Sequence, residues 1–236
     1  MATGAQHRSW HCLPDGRVVS CTSPSEVLAA WEDLNQDGTY AKAVRGLRPG
    51  SHIADVGSRH GLSAIFFADH LPDARILAFE PVPPAFECLR ENLVRYVPNG
   101  QPFHCALGEE PGSRELTYSV AEAPGTHKGG NVRQAHELRR REAVERTCSV
   151  RVTTLTRVAE RQQVESIDLL RISTRHAGPE VLRGIGDDLW TRIRRIVVEL
   201  HDEDGLSELE GLLRARQYEV MVPQGTKGRM LLAMRG

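Results

Sequence analysis

The sequence predicts one α/β domain, a doubly wound parallel sheet with helices on both faces, closed by an antiparallel hairpin. Three observations predict it. From His52 onward, short apolar runs alternate with stretches of helical periodicity, the pattern of consecutive β–α units. A glycine-containing turn, Asp55-Val56-Gly57-Ser58-Arg59-His60-Gly61, follows the first run and opens the next helix, the place where such sheets bind ligands. The last two apolar runs, residues 218–222 and 230–234, are separated by the turn-forming stretch Pro223-Gln224-Gly225-Thr226-Lys227-Gly228, which reads as a hairpin.

The elements follow in order. Up to about residue 24 the chain reads as a hairpin-like entry, because Arg17-Val18-Val19-Ser20-Cys21 follows the turn Pro14-Asp15-Gly16. Helical spacing then runs from Ser25, an available N-cap, through Leu28 and Trp31 to Leu34. A second helix spans 40–47 before Arg48-Pro49-Gly50 stops it. These first 50 residues are expected to cover the ligand side of the core. The alternation gives strands at 52–56 and 75–79 and helices at 62–70 and 83–96. Strands follow at 102–106, 114–120 and 166–172, then a helix at 180–189, a buried strand at 193–199 and an amphipathic helix at 206–216. Residues 125–151 break the pattern, with Arg133, Arg139, Arg140, Arg141, Arg146 and Arg151 among Glu137, Glu142 and Glu145. Such a segment is expected to be a solvated helix with compensating charges, or a lid inserted over a pocket.

Composition narrows the function. The 236 residues are 40% hydrophobic and 26% charged, ordinary for a globular domain, and 30 basic against 31 acidic side chains leave a net charge of −1. That balance supplies no field for nucleic acid or anionic lipid, so neither is an expected partner. No run reaches the roughly 20 apolar residues of a membrane span, and the start lacks an apolar leader, which points to the cytoplasm. Five cysteines, at 12, 21, 88, 105 and 148, form no C-x-x-C pair and are expected to be reduced and mostly buried, without a disulfide framework or zinc ribbon.

The chemistry concentrates at two strand ends. Glycines in the 55–61 turn let the backbone bend tightly and approach a ligand, and the helix start offers N–H groups to an anionic group. The spacing is Gly-x-x-x-Gly, which departs from the dinucleotide fingerprint. At the end of the next strand, in Phe79-Glu80-Pro81, Glu80 lies nineteen residues beyond Gly61, where a carboxylate can accept bonds from both hydroxyls of a ribose. The competing readings are a loop-bracing carboxylate for Asp55 and a surface charge for Glu80.

The series ADVGSRHGLSAIFFA, AFEPVPPAFECLRENL, CALGEE, SIDLLRISTRHAGPEVLRGI and RIVVELHDEDG, with the closing hairpin, resembles the FkbM family of S-adenosylmethionine-dependent methyltransferases. The resemblance runs from about residue 13 to 234, and the ending QGTKGRMLLAMR is similar to members from natural-product pathways. It implies a class I methyltransferase fold, a Rossmann-like, doubly wound seven-stranded sheet with a C-terminal antiparallel hairpin. Carried over, Asp55, Gly57 and Gly61, with Ser58 in the same turn, hold the methionine end of the cofactor. Ser63 reaches its carboxylate, Glu80 with Pro81 after it takes the ribose, and Ala106 and Leu107 form the adenine edge. The family's K-I-D-V-E-G-A-E segment reads Arg171-Ile172-Ser173-Thr174-Arg175-His176-Ala177-Gly178 here. Ser173 therefore replaces an aspartate among the cofactor-facing positions, and Arg175 a glutamate. Without those hard oxygen ligands no metal is expected there.

Methyl transfer requires in-line alignment, exclusion of water and removal of the acceptor's proton. Histidine suits the last task, and His201 and His176 follow strands at their carboxyl ends, where open α/β sheets place ligands. Glu199, two residues before His201, shares its strand face and is expected to orient His201 or the cofactor. His60 reads as a backbone-positioned neighbour of the cofactor. Tyr40 reads as core, with a contact to the cofactor from above as the other option. The expected activity is O-methylation of a small or carrier-linked natural-product intermediate; the alternative is a non-catalytic binding protein on the same fold. A nucleotide-dependent oxidoreductase and an RNA methyltransferase are weaker readings. The oligomeric state stays open, a homodimer included.

Overall fold

The computed structural model of the protein describes residues 8–36, 38–121, 143–174, 177–200, 205–222 and 229–235. The chain begins with an antiparallel hairpin, β1 (Ser9–Cys12) and β2 (Val18–Cys21), then α1 (Pro24–Gln36) and α2 (Thr39–Val44). The first β–α units are β3 (His52–Val56), α3 (Leu62–His70), β4 (Arg75–Phe79), α4 (Pro83–Tyr96) and β5 (Gly100–Phe103). Next come β6 (Ala106–Leu107), β7 (Gly112–Ala121), β8 (Ala143–Thr153) and α5 (Leu155–Arg161). The second half holds β9 (Ile167–Ile172), α6 (Gly178–Arg183), α7 (Asp187–Trp190) and β10 (Ile193–Leu200). It closes with α8 (Leu206–Ala215), β11 (Glu219–Met221) and β12 (Arg229–Met234).

Seven strands form the main sheet in the order β5-β4-β3-β9-β10-β12-β11. Strands β5 through β10 are parallel, and β12 runs antiparallel between β10 and β11. Helices cover both faces, so the central strands are buried on two sides and read as nearly continuous apolar runs. Alternate residues feed two cores. Ala54, Leu77, Phe79, Leu170 and Val198 pack on one face beneath α5, α6 and α8. Ile53, Ile76, Ala78, Leu169 and Val197 pack on the other beneath α1 to α4. The strand order reverses between β3 and β9, and open α/β sheets bind ligands outside the strand carboxyl ends at such a point.

Three expectations are corrected. The strand expected at 102–106 divides: β5 stays in the main sheet, while β6 leaves it to pair in parallel with β8. The helix expected at 180–189 is two short helices, α6 and α7, separated at Gly184 to Gly186. Within the segment expected to be a solvated helix or a lid, residues 143–151 belong to β8, paired antiparallel along β7; residues 122–142 lie outside the described residues. The period there is two. Val144, Cys148, Val150 and Val152 share one face of β8 and Glu145, Thr147, Ser149 and Arg151 the other, a pattern masked in the sequence by the arginines.

Candidate functional site

The 55–61 turn is fixed by hydrogen bonds that join two strand ends. Gly57 and Ser58 both donate their N–H groups to the carbonyl of Phe79, at 3.0 Å each, and the Gly61 N–H closes the turn on Ser58 at 2.8 Å. Gly57 and Gly61 have φ of +76° and +83°, backbone that L side chains rarely adopt. At Gly57 a Cβ would lie 2.1 Å from the carbonyl oxygen of Ser173, so the turn presses against the end of β9.

Asp55 braces this turn from below. It is fully buried, and its carboxylate accepts from Ser58 Oγ at 2.6 Å, Ser63 Oγ at 2.7 Å and Arg171 Nη1 at 2.7 Å. Glu80 is bound more sparsely. Its Oε2 accepts the Arg59 N–H at 2.9 Å and its Oε1 the Val82 N–H at 2.8 Å, which leaves a lone pair on each oxygen for hydroxyl donors. Burial pushes the Glu80 carboxyl up to about 7 against those two N–H groups. Pro81 follows it, partly buried, on the way into α4.

A second group of side chains lies across three neighbouring strands. Asp55 pairs with Arg171, and Arg171 with Val197, in the sheet register; Glu199, two residues beyond Val197, therefore shares their face. Arg171 reaches both carboxylates, at 2.7 Å from Asp55 and 2.6 Å from Glu199. The Tyr40 hydroxyl on α2 donates to Glu199 Oε1 and accepts from Arg171 Nε at 2.9 Å. Ser173 Oγ donates to Glu199 Oε2 at 2.5 Å. Burial raises the Glu199 carboxyl, but the Arg171 guanidinium, helped by the Ser173 and Tyr40 hydroxyls, overrides it and holds the group at about 2. Desolvation opposes the charge on Arg171, yet Glu199, Tyr40 and Asp55 keep its pKa well above the ordinary value. Arg195, also on β10, caps α2 by donating to the carbonyls of Ala43 and Arg45 at 2.6 and 2.7 Å, which fixes Tyr40 over the cluster.

The structure brings Asp55, Gly57, Ser58, Gly61, Ser63, Glu80 and Ser173 together at the carboxyl ends of β3, β4 and β9. Ala106 and Leu107 form β6 in the second sheet. His60 is buried; its Nε2 meets Thr22 Oγ1 at 2.8 Å, and burial, with the nearby Arg59 charge, lowers it to about 3, so it is a neutral staple. His176, His201 and Arg175 lie outside the described residues. Among those described, no group of three His, Cys, Asp or Glu side chains could hold a metal ion. Sequence reasoning read Arg171 only as part of an altered motif and left Tyr40 as core. The available signal was a charge repeated on one strand face, at 55, 171 and 199, inside apolar runs.

The residues present suit an adenosylated amino acid: a glycine turn a Cβ would fill, a carboxylate at the next strand end with free acceptor sites, and, among the described residues, a buried hydroxyl, Thr174 Oγ1, without a partner beside that turn. A doubly wound sheet with its last strand inserted antiparallel, carrying this turn at its switch point, defines the class I methyltransferase fold. The solved precorrin-6y C5,15-methyltransferase from Geobacter metallireducens has the same fold, with a TM-score of 0.53 and 13% identity over 87% of this chain and 92% of that one. The chain belongs to the FkbM family, since the Methyltransferase FkbM domain matches residues 55–220. It is 30% identical over 234 residues to the 31-O-demethyl-FK506 methyltransferase FkbM of Streptomyces tacrolimicus, covering 90% of this chain and 89% of that protein. It is also 29% identical over 247 residues to the AMB antimetabolite synthetase AmbE of Pseudomonas aeruginosa, a match over 90% of this chain and 12% of that protein. No described helix is long and apolar enough to cross a membrane.

Proposed function

We propose that the protein binds S-adenosylmethionine and methylates a hydroxyl group on a small or carrier-linked natural-product intermediate. The observation that carries the cofactor reading is the bonding of the 57–61 turn to Phe79 and Glu80, so that two strand ends address one nucleoside as a unit. In this reading Gly57 and Gly61 admit the methionine portion, Asp55 shapes the turn through Ser58 and Ser63, Glu80 accepts from the ribose, and Ala106 and Leu107 edge the adenine. The cofactor supplies an already activated methyl group. The remaining tasks fall to the chain: alignment, exclusion of water and proton removal, the last assigned to His201 with His176 as the other candidate. Support for the acceptor class comes from the names of the FK506-type methyltransferase and the antimetabolite synthetase.

Calorimetric titration with S-adenosylmethionine and S-adenosylhomocysteine, with NAD⁺ as control, tests the cofactor. Selective micromolar binding of the first two is expected; binding of NAD⁺ alone overturns the reading. In acceptor assays His201→Ala lowers turnover about a hundredfold with cofactor binding kept, whereas Glu80→Ala weakens cofactor binding. Equal loss of both properties in both variants would remove this division of roles.

A further inference from the structure

We infer that Glu199 is a cation-binding group of the cofactor pocket, and that it receives the ammonium of the cofactor's amino-acid portion. The inference rests on the reading of the site as a pocket for S-adenosylmethionine and adds a residue and a charge to it. Among the described residues, the cluster holds two carboxylates, Asp55 and Glu199, against one guanidinium, Arg171. Arg59, the cation of the neighbouring turn, is paired instead with Glu26 at 2.5 Å. The cluster thus carries one negative charge that its own members do not balance. Both carboxylates share Arg171 as their counter-ion, and a bound cation balances the second of the two negative charges.

The geometry says where that cation goes. The Asp55 side chain is 0% accessible and Arg171 9%, whereas Glu199 is 25% accessible. The excess charge therefore opens at Glu199. Glu199 lies beside Ser173, whose hydroxyl bonds it and whose carbonyl faces the Gly57 turn, so a ligand ammonium at that opening finds a carboxylate and a carbonyl as acceptors. Arg171, Tyr40 and Ser173 hold Glu199 ionised and in place, and a carboxylate kept so acidic is a poor proton acceptor at neutral pH. Its use is as a fixed charge, preorganised before the ligand arrives.

The test compares two ligands that share the nucleoside and differ in the amino-acid portion: S-adenosylhomocysteine and 5′-methylthioadenosine. Dissociation constants are measured by calorimetry for the wild type, Glu199→Gln, and the double variant Ser173→Asp with Glu199→Gln. The double variant returns a carboxylate to the same place, because the side chain at 173 already touches Glu199 Oε2. Glu199→Gln is expected to weaken S-adenosylhomocysteine about tenfold or more and 5′-methylthioadenosine by less than about twofold. The double variant is expected to recover S-adenosylhomocysteine to within about threefold of the wild type. Equal weakening of both ligands by Glu199→Gln assigns Glu199 a structural role and overturns the inference, as does no change in either. If Glu199→Gln does not fold, the double variant decides: a folded protein that no longer prefers S-adenosylhomocysteine overturns it. Should neither variant fold, Glu199→Asp, which keeps the charge but withdraws it by one methylene, must weaken S-adenosylhomocysteine selectively. A wild type that binds neither nucleoside removes the cofactor reading itself, and this inference with it.

Discussion

At the scale of single residues, two carboxylates at adjacent strand ends have opposite uses because their donors differ. Asp55 is met by two hydroxyls and a guanidinium, which occupies it as a brace. Glu80 is met by two backbone N–H groups and keeps acceptor capacity for a ligand. The turn between them depends on one backbone conformation. Gly57→Ala places a methyl group 2.1 Å from the Ser173 carbonyl oxygen, at φ +76°, where strain and overlap act together. The variant is expected to lose several kcal/mol, about 2–4, from the combined penalties of a left-handed alanine and an overpacked contact. Urea unfolding measures this, and cofactor titration of the folded fraction should show no binding. A variant as stable as the wild type would mean that β9 can withdraw from the turn.

At the scale of elements, the N-terminal hairpin is tied to the site by a buried amide as well as by the Thr22–His60 contact. Asn92 on α4 accepts the Ser20 N–H at 2.8 Å and donates to the carbonyls of Ser20 at 2.9 Å and His60 at 2.7 Å. It therefore fastens β2 and the glycine turn to the same helix. Asn92→Ala leaves three buried backbone groups without their partner, an expected loss of about 2–4 kcal/mol by urea unfolding, with weaker cofactor binding because the His60 carbonyl in the turn loses its donor. Unchanged binding would separate the hairpin from the site. The sequence showed the hairpin, through Pro14-Asp15-Gly16, but not this tie, since Asn92 meets Ser20 only after α4 packs on β2. The same limit explains other differences. Strands β3, β4, β9 and β10 were legible because burial on both faces writes them as apolar runs. Strand β8 was not, because its described buried residues are confined to one end, at Val150 and Val152, and its exposed end carries Glu145 and Arg146. Glu80 and the glycine turn were readable from position alone. The link between Arg171, Glu199 and Tyr40 was not, because it depends on the register of three strands and on the cap that Arg195 places on α2.

At the scale of the whole molecule, buried titratable groups at the carboxyl ends of the sheet set how their contribution to stability varies with pH. Glu80 moves from an ordinary 4.5 up to about 7 on folding, so its contribution is complete below 4.5 and is lost as pH rises through 7. His60 moves from 6.5 down to about 3, so its contribution is complete above 6.5 and is lost as pH falls toward 3. Glu199 moves from 4.5 down to about 2, and its contribution is lost only as pH falls below 4.5. Between 4.5 and 6.5 the Glu80 and His60 slopes are opposite in sign and about 1.4 kcal/mol per pH unit each. They cancel, and these three groups give a plateau across that window. Below it the His60 and Glu199 slopes add, and stability falls at up to twice the single-group rate. Urea unfolding at half-unit steps of pH checks this with two variants. Glu80→Gln removes the falling slope and makes stability rise with pH across the plateau, whereas His60→Asn removes the rising slope and makes it fall. Each tilt should reach roughly 2–3 kcal/mol from end to end. Variants that tilt the same way, or leave the profile level, would place the proton linkage on other groups.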